Sequence, residues 1–343
     1  MDRVVIFSVG FCILVVLVVP SVLVRGCDFG IAPREAAAGP SINVFMISTG
    51  QMVEMPLDEY VKGVVAAEMP ASFGTEALKA QAVAARTFAV KRMKQFGGPG
   101  CTAHPGADVC TDSQHCQAWV SDDELRKRLG YLEYYAYARK IASAVESTSG
   151  KIVTYQGKPI EAYYHAASGG STENSEDVWQ TAVPYLRAVS TEFEAREPSF
   201  QERVEFTIDE LEKKLGVKLT QKKVRTYKVA GKDVQVVAGD RMDRPIEVLS
   251  ASPAGRVKDI RIGDKIFSGF SLREALGLRS TKLTYQVIGD KVSFTTTGYG
   301  HGVGMSQYGA QAMAQAGKTY VDILKHYYTG TEVTTFAGIG PGQ

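Results

Sequence analysis

Between residues 57 and 90 the hydrophobic residues recur at the spacing of two helices joined by a tight turn. The first helix has an apolar stripe made of Leu57, Val61, Val64 and Val65. Glu68 falls on the same stripe. The Met69-Pro70 pair that follows predicts the end of the helix, because a residue before proline leaves helical geometry. The pattern therefore predicts a carboxylate in the last helical turn, on a face that is otherwise buried.

This position should raise the pKa of Glu68. The partial negative charge at a helix C-terminus disfavours a second negative charge, and partial burial acts in the same direction. A carboxyl group that keeps its proton near neutral pH suits a general acid. The alternative is a glutamate that pairs with a cation of the second helix, where Lys79 and Arg86 are seven residues apart and share one face.

The other periodic segments predict an α+β chain. Strands are expected over residues 41–46 and 51–55, and a second hairpin over 151–155 and 160–164. A long helix that contains several tyrosines is predicted over residues 122–147. Residues 200–285 are dense in charge and predict a smaller inserted α/β lobe. This lobe would divide a mixed helical and β core into residues 41–199 and 286–336.

The N-terminal stretch over residues 4–24 is a run of 21 residues with little polarity apart from two serines. About 20 such residues span a bilayer, so the run predicts one N-terminal transmembrane helix, followed by a linker over residues 25–40. The alternative is a cleaved signal peptide. Its apolar region would be shorter, however, and would end in a small-x-small site, which this run lacks.

The composition allows a large core and gives no sign of nucleic-acid binding. The chain has 343 residues, of which 45% are hydrophobic, enough for one large domain or two modest ones. Its 39 basic and 37 acidic residues give a net charge of +2. Since no basic run is interleaved with aromatic residues, nucleic acid is not an expected partner.

Two loops carry further candidate chemistry. His165 and Ser168 lie three residues apart and precede two glycines, which allow close approach of backbone to a ligand. A serine nucleophile with a histidine base is an alternative there, but the loop lacks a nucleophile elbow. Near the C-terminus, alternating glycines surround His301 before a helix. They lack the Lys-Ser/Thr of a phosphate-binding P-loop, which favours a neutral ligand.

Four motifs, in this order, resemble the stage II sporulation protein D (SpoIID) family. Members of that family are peptidoglycan lytic transglycosylases related to amidase-enhancer (LytB-type) domains. The motifs are AAEMP at residues 66–70, ALKAQAVAARTFA at 77–89, YYHAASGG at 163–170 and GYGHGVGMSQYGA at 298–310. One such motif would be weak, whereas four in the family's order are specific.

The resemblance implies that the core is catalytic and that Glu68 is its general acid and base. It also implies that polar residues of the second motif line the site. Together with residues of the two loops, they are candidate contacts with the glycan. The candidate substrate-binding residues are Lys79, Gln81, Arg86, Tyr163, His165, Ser168, His301, Ser306, Gln307 and Tyr308.

The resemblance also implies a zinc site in the glycine-rich loop over residues 94–120. His104, Cys110 and Cys116 are each six residues apart, which reproduces a ligand spacing known in some members of the family. The metal would hold the loop beside the cleft, since the transglycosylase chemistry needs no metal. A disulfide, either Cys110–Cys116 or Cys101–Cys116, is the alternative, and His115 could replace His104 as a zinc ligand.

The function implied by the resemblance is cleavage of the bond between N-acetylmuramic acid (MurNAc) and N-acetylglucosamine (GlcNAc), with formation of 1,6-anhydro-MurNAc ends. Strands without stem peptides would be preferred, in peptidoglycan remodelling at the septum and in engulfment during sporulation. The implied partners are a sporulation amidase (SpoIIP-type) and a polytopic membrane scaffold (SpoIIM-type). The catalytic domain would lie on the outer face of the mother-cell membrane, facing the forespore. A non-catalytic enhancer of an amidase, and a zinc- or serine-dependent amidase, stay open.

Overall fold

The computed structural model describes residues 39–70, 72–179, 181–191, 194, 200–229, 232–241 and 246–336. The predicted transmembrane helix over residues 4–24, and nearly all of the predicted linker, lie outside these residues. Within the described ranges, no helix is both long enough and apolar enough to cross a bilayer. The described chain is a mixture of helices and several small sheets, as an α+β fold requires.

The chain enters through a hairpin and then forms the two helices predicted from the hydrophobic pattern. The elements are β1 (Ser41–Met46), β2 (Gln51–Pro56), α1 (Leu57–Glu68) and α2 (Thr75–Arg92). Strands β1 and β2 pair antiparallel from Ser41↔Pro56 to Met46↔Gln51. Helix α2 is buried along most of its length, and its alanines allow α1 and several later elements to pack closely around it.

The other elements around the first hydrophobic core come from both halves of the chain. They are a 3₁₀ turn (Lys94–Phe96), β3 (Val109–Cys110), α3 (Asp122–Leu129), α4 (Tyr131–Ser147), β4 (Lys151–Tyr155), β5 (Lys158–Pro159), β6 (Tyr164–His165) and α5 (Ser175–Trp179). From the C-terminal end come β15 (Met305–Ser306), α8 (Gln307–Gln315), α9 (Tyr320–Tyr327) and β16 (Glu332–Thr335). Strand β16 pairs with β4, so the end of the described chain closes onto the same hydrophobic core.

The second predicted hairpin is shorter than expected. Strand β5 contains Lys158 and Pro159 alone, and residues 160–163 do not continue it. Proline has no N–H to donate to a ladder. The N–H of Ile160 still donates to the carbonyl of Val153 in β4 over 3.2 Å, and the chain leaves that strand after it. The next strand, β6, pairs in parallel with β15, at Met305↔Tyr164 and Ser306↔His165. This pairing joins two motifs that are far apart in the sequence.

The middle of the chain forms a second hydrophobic cluster. Its elements are β7 (Gln201–Thr207), α6 (Ile208–Leu215), β8 (Thr220–Val229), β9 (Lys232–Arg241), β10 (Ile246–Ala251), β11 (Val257–Ile262), β12 (Lys265–Ser268), α7 (Gly269–Leu276), β13 (Leu283–Ile288) and β14 (Lys291–Thr297), of which β8 and β9 pair as a separate ribbon. The buried cluster runs from Phe206 to Phe294 and so extends past residue 285, the predicted end of the inserted lobe. Strand β14 pairs with both β13 and β7, which brings the entry and the exit of this segment together.

Candidate active site

Glu68 ends helix α1 and lines a cleft of about 970 Å³. The helix stops because Met69, before Pro70, has an extended backbone, as the sequence predicted. The cleft is lined by the segments around residues 67–68, 113–117, 162–166 and 179, and by α7, the turn that follows it, and residues 299–301 and 307. Glu68 is therefore placed where several distant segments converge.

The pKa of Glu68 is raised, and burial is the main cause. The side-chain amide of Gln307 donates from Nε2 to Oε2 of Glu68 over 3.0 Å, and the backbone N–H of Ala118 also stabilises the carboxylate. Both contacts lower the pKa but do not outweigh burial. Neither Lys79 nor Arg86 pairs with Glu68, because Lys79 binds Glu76 at 2.7 Å and Arg86 binds Asp58 at 2.8 Å. The alternative of a structural Glu68–cation pair is therefore wrong.

The glycine-rich loop reaches the cleft because its backbone passes very close to the His165 segment. A Cβ atom on Gly304 would lie 2.1 Å from the carbonyl oxygen of Tyr163, and one on Gly300 would lie 2.8 Å from Cβ of His165. Both glycines also have positive φ angles, of +75° and +107°. This close approach carries Gln307, the first residue of α8, to Glu68.

Four rings form a cluster beside this contact. The ring centroids of Tyr163 and Trp179 are 4.7 Å apart, those of Trp179 and His301 are 5.1 Å apart, and those of His165 and His301 are 5.5 Å apart. All four residues line the cleft. Aromatic faces of this kind pack against the apolar face of a pyranose ring.

Burial favours the neutral form of both histidines. Burial lowers the pKa of His301 to about 4 and lowers that of His165 well below its usual value. Nδ1 of His165 donates to the carbonyl of Val303 over 3.2 Å, whereas Nδ1 of His301 accepts from the N–H of Val303 over 3.1 Å. The two rings therefore carry their protons on different nitrogens. Within the described residues, Nε2 of His165 has no hydrogen-bond partner.

A buried ion pair beneath the cleft holds the two loops in place. Nε of Arg256 lies 3.4 Å from Oε1 of Glu173, and both side chains are almost fully buried. The same guanidinium donates to the carbonyl of Ser168 over 2.9 Å and to that of Gly300 over 3.3 Å. Arg256 lies in the turn between β10 and β11. The second cluster therefore positions the Ser168 loop and the Gly300 loop through this one residue.

A candidate metal-binding group, made of three cysteines and a histidine that could hold a metal ion, lies next to the cleft. The sulfurs of Cys101, Cys110 and Cys116 and a ring nitrogen of His115 lie within 4.8 Å of one another. The three sulfurs lie 3.4, 3.5 and 3.3 Å from Nδ1 of His115. A tetrahedral zinc ion with its usual bond lengths separates a sulfur from a nitrogen ligand by about 3.6 Å. Nε2 of His115 is bound to the hydroxyl of Thr102 at 2.9 Å, which is the outer contact expected of a metal-bound imidazole.

Comparison with known proteins identifies the family. The family model for stage II sporulation proteins (SpoIID) matches residues 47–155. Stage II sporulation protein D of Bacillus subtilis is 40% identical over 298 residues, which cover 87% of this chain and 80% of the relative. The corresponding protein of Bacillus amyloliquefaciens is 39% identical over 305 residues, covering 89% and 82%. The chain belongs to the stage II sporulation protein D family.

An amidase enhancer of B. subtilis is also similar to this SpoIID-family chain. The two are 30% identical over 316 residues, which cover 80% of this chain and 40% of the enhancer. The relation to amidase enhancers suggested by the motifs is thus confirmed.

The cleft brings together part of the predicted substrate-binding set. Tyr163, His165, His301 and Gln307 line it with Glu68. Ser306 instead caps α8 by accepting from the N–H of Gly309. The ring of Tyr308 packs edge-on against Phe73 and Phe200 outside the set of lining residues.

The remaining predicted contacts have structural partners or lie away from the cleft. Lys79 is bound to Glu76 and does not line the cleft. Gln81 is fully buried within α2. Arg86 is buried as well, and it donates to Asp58 and to the carbonyls of Thr148 and Lys151. Lys79 is drawn to an acidic residue of its own helical turn, and Gln81 and Arg86 are enclosed by the core. For these reasons none of the three side chains reaches the cleft.

Ser168 is also buried rather than exposed to the cleft. Its N–H donates to Oε2 of Glu194 over 2.7 Å and its hydroxyl donates to the same atom over 3.1 Å. The hydroxyl also contacts Thr191. The buried hydroxyl of Ser168 therefore stabilises the loop conformation through Glu194 and Thr191.

His104 lies apart from the metal-binding group. Its ring stacks on Phe45, with the centroids 3.9 Å apart. The six-residue spacing of His104, Cys110 and Cys116 does not translate into one group of ligands here, because Cys101 and His115 occupy the remaining positions. Of the predicted metal ligands, the structure groups Cys110 and Cys116.

Several cleft residues were not predicted from the sequence. Gln117 lines the cleft and links the hydroxyls of Tyr60 and Tyr164. Arg273 and Arg279 reach the cleft from the second cluster. No local motif marks these side chains, because tertiary contacts between distant segments bring them to the site.

Proposed function

We propose that this chain is a peptidoglycan lytic transglycosylase with Glu68 as its general acid and base. The observation that carries the proposal is a carboxyl group, with a pKa raised by burial, that lines a cleft of about 970 Å³. A protonated carboxyl group in such a cleft is suited to protonate the leaving oxygen of a glycoside. The substrate is the glycan strand of peptidoglycan, cleaved between MurNAc and GlcNAc.

The reaction needs one carboxyl group that acts twice. Glu68 gives its proton to the glycosidic oxygen as the bond from that oxygen to C1 of MurNAc breaks. The resulting carboxylate then takes the proton of the C6 hydroxyl of the same sugar, whose oxygen forms the new bond to C1. The product is a 1,6-anhydro end, and Glu68 regains its proton. The Gln307 hydrogen bond stabilises the carboxylate between the two steps.

A hydrolase would need a second carboxylate to activate water or to attack C1. Among the described residues that line the cleft, the other carboxylate is Glu274, which is exposed on α7. Asp58 is bound to Arg86, and Glu59 is bound to Lys62. A hydrolase in this cleft would therefore depend on Glu274, whereas cyclisation needs Glu68 alone.

The metal-binding group favours a structural zinc ion. Three cysteines and one histidine form a closed tetrahedral donor set, whereas catalytic zinc sites keep one position open for water. Zinc bound here would stabilise the loop that contributes Cys116 and Gln117 to the cleft wall. The donor set and the buried Ser168 both argue against a zinc- or serine-dependent amidase.

The setting that we propose is peptidoglycan remodelling in sporulation, as the family name of the relatives indicates. We further propose denuded strands as substrate, with a SpoIIP-type amidase and a SpoIIM-type scaffold as partners. An N-terminal membrane anchor over residues 4–24 would hold the catalytic domain on the outer face of the mother-cell membrane. Support for these points is the sequence pattern and the family membership.

A second candidate function is a glycan-binding enhancer of an amidase. The 30% identity with an amidase enhancer favours it. The two functions differ in their need for Glu68. An enhancer keeps its effect on the amidase when Glu68 is replaced by glutamine, whereas an enzyme loses its own turnover.

The experiment that tests the proposal is mass spectrometry of the products from amidase-treated peptidoglycan, with wild type and Glu68→Gln side by side. Anhydro-MurNAc ends from the wild type, with turnover reduced about 10²- to 10⁴-fold in the variant, are the expected result. Reducing ends would indicate a hydrolase. No cleavage by the wild type, with glycan still bound, would favour the enhancer.

A further inference from the structure

Helix α7 belongs to the second hydrophobic cluster but presents one face to the cleft. Phe270, Arg273, Glu274 and Gly277 all line the cleft, and they recur at the spacing of a single helix face. On the other side of the helix, Leu272 and Leu276 are buried in the second cluster. The amphipathic pattern of α7 therefore fixes which of its side chains meet the ligand.

Arg273 is a half-buried guanidinium without a carboxylate partner in the described part of the chain. Its Nε donates to the carbonyl of Leu278 over 3.2 Å, which orients the group at the C-terminal end of α7. The other arginines with buried or half-buried described side chains each have an ion pair: Arg86 with Asp58, Arg92 with Glu161, Arg187 with Glu176, Arg256 with Glu173 and Arg261 with Glu247. Arg273 differs from them in lining the cleft without an ion pair to a described carboxylate.

Two exposed aromatic rings line the same cleft as this guanidinium. Phe270 is 48% exposed and Tyr299 is 51% exposed, and both line the same cleft. The Arg279 guanidinium lies 5.7 Å from the Tyr299 ring centroid, but it is bound to Glu202 at 3.0 Å. Aromatic faces that share a cleft with an unpaired guanidinium are suited to a sugar that carries an anionic substituent.

We infer that Arg273 binds the lactyl carboxylate of MurNAc and selects glycan strands from which the stem peptides have been removed. The inference rests on the proposed function, because it concerns the same cleft and the same glycan. Removal of the peptide converts the lactyl amide into a free carboxylate. A guanidinium binds a carboxylate through two parallel N–H···O bonds, whereas an amide offers it one uncharged acceptor and leads into a bulky peptide.

The test measures binding in the full chain carrying Glu68→Gln, so that no turnover occurs. The ligands are a peptide-free GlcNAc–MurNAc oligosaccharide, the same oligosaccharide with its lactyl carboxylates converted to primary amides, and a chitin oligosaccharide of equal length. We expect the acid to bind more tightly than the amide and the chitin. Arg273→Gln should weaken binding of the acid about tenfold and leave binding of the other two nearly unchanged.

Two further variants serve as controls. Arg273→Lys keeps the charge but loses the bidentate geometry, so it should fall between wild type and Arg273→Gln. Arg261→Gln removes an arginine from β11 in the same cluster, where it is bound to Glu247 and does not line the cleft, and it should bind all three ligands as the parent does. A thermal melt of each variant separates loss of the contact from loss of the fold.

Equal weakening of the acid and the amide by Arg273→Gln would overturn the inference, because Arg273 would then only support α7. Equal binding of the two ligands by the parent would overturn it as well. Failure of the transglycosylase proposal can be distinguished from failure of the Arg273 inference, because it would appear as an absence of anhydro ends in the wild type. The carboxylate discrimination measured here does not depend on turnover.

Discussion

Gln307 and Glu68 lie 239 positions apart in the sequence, and Nε2 of the amide is 3.0 Å from Oε2 of the carboxyl group. The contact exists because β15 pairs in parallel with β6 and delivers the first residue of α8 to the end of α1. Gln307 stabilises the charged form of Glu68 and so limits the rise in pKa caused by burial. The balance between these two effects sets the pH range in which Glu68 can act as an acid.

Removal of this hydrogen bond should shift the pH dependence of activity. In Gln307→Leu the pKa of Glu68 should rise further, because a contact that stabilises the carboxylate is lost. The alkaline limb of the kcat/KM profile should move up by about half to one pH unit, and the rate should fall. Gln315→Leu, at an exposed position of the same helix, is the matched control. An unshifted alkaline limb in Gln307→Leu would show that another group controls it.

Glu68→Gln should make the folded protein more stable at neutral pH. Burial raises the folded-state pKa of Glu68 above its unfolded value, so the native state binds the proton more tightly between the two values. Stability from this group is complete below the unfolded pKa and is lost as the pH rises through the folded pKa. The increase in the free energy of unfolding caused by Glu68→Gln should therefore be small at about pH 4 and larger above neutral pH. Urea titrations of both proteins at the two pH values measure it, and an equal gain at both would contradict this account.

The position of Glu68 could be predicted from the sequence because its determinants are local. An apolar stripe, the carboxylate on it and Pro70 lie within one helix and its end. Arg86 shows where that approach fails. Its helix face was predicted, but its partner Asp58 lies 28 residues away at the opposite end of α1 from Glu68. The spacing of residues along a helix predicts the face on which a side chain lies, but it does not predict which group that side chain contacts.

The cysteine loop shows the same limit in a segment without periodic structure. Equal spacing singled out His104, but the fold stacks this ring on Phe45 and brings His115 to the three sulfurs instead. In an irregular loop the backbone path decides which side chains converge. Arg256 and Arg273 were missed for a related reason, since the second cluster brings them to the site.

The metal site should bind one zinc ion per chain. Cys101→Ser and His115→Ala should each lose the metal, whereas His104→Ala should retain it, because His104 lies outside the donor group. Thr102→Val should weaken zinc binding about 10- to 100-fold, since the hydroxyl contacts the other nitrogen of His115. Metal analysis of protein prepared without reductant, together with thiol counting, measures this. Absence of metal together with the loss of two loop thiols would show a disulfide instead.

Arg256→Met should destabilise the protein strongly. It removes the cation that compensates the buried Glu173 and releases the carbonyls of Ser168 and Gly300. Breaking a buried pair from one side costs about 3–5 kcal/mol. The double variant Arg256→Met/Glu173→Gln should recover part of this loss. Arg261→Gln, which breaks a pair with a 43% exposed arginine side chain, should cost about 0–1 kcal/mol. Equal losses in the two single variants, measured by urea unfolding, would contradict a positioning role for the buried pair.

Glu274→Gln separates cyclisation from hydrolysis. Glu274 is the other carboxylate among the described residues that line the cleft, so a hydrolase built on this site would depend on it to activate water or to attack C1. A transglycosylase takes its nucleophile from the C6 hydroxyl of the substrate. We therefore expect Glu274→Gln to keep its turnover within about tenfold of wild type and to give the same anhydro ends, whereas Glu68→Gln loses turnover by orders of magnitude. The measurement is the ratio of anhydro to reducing ends by mass spectrometry. A loss in Glu274→Gln as large as that in Glu68→Gln would mean that two carboxyl groups flank the scissile bond, and the single-carboxyl mechanism would have to be abandoned.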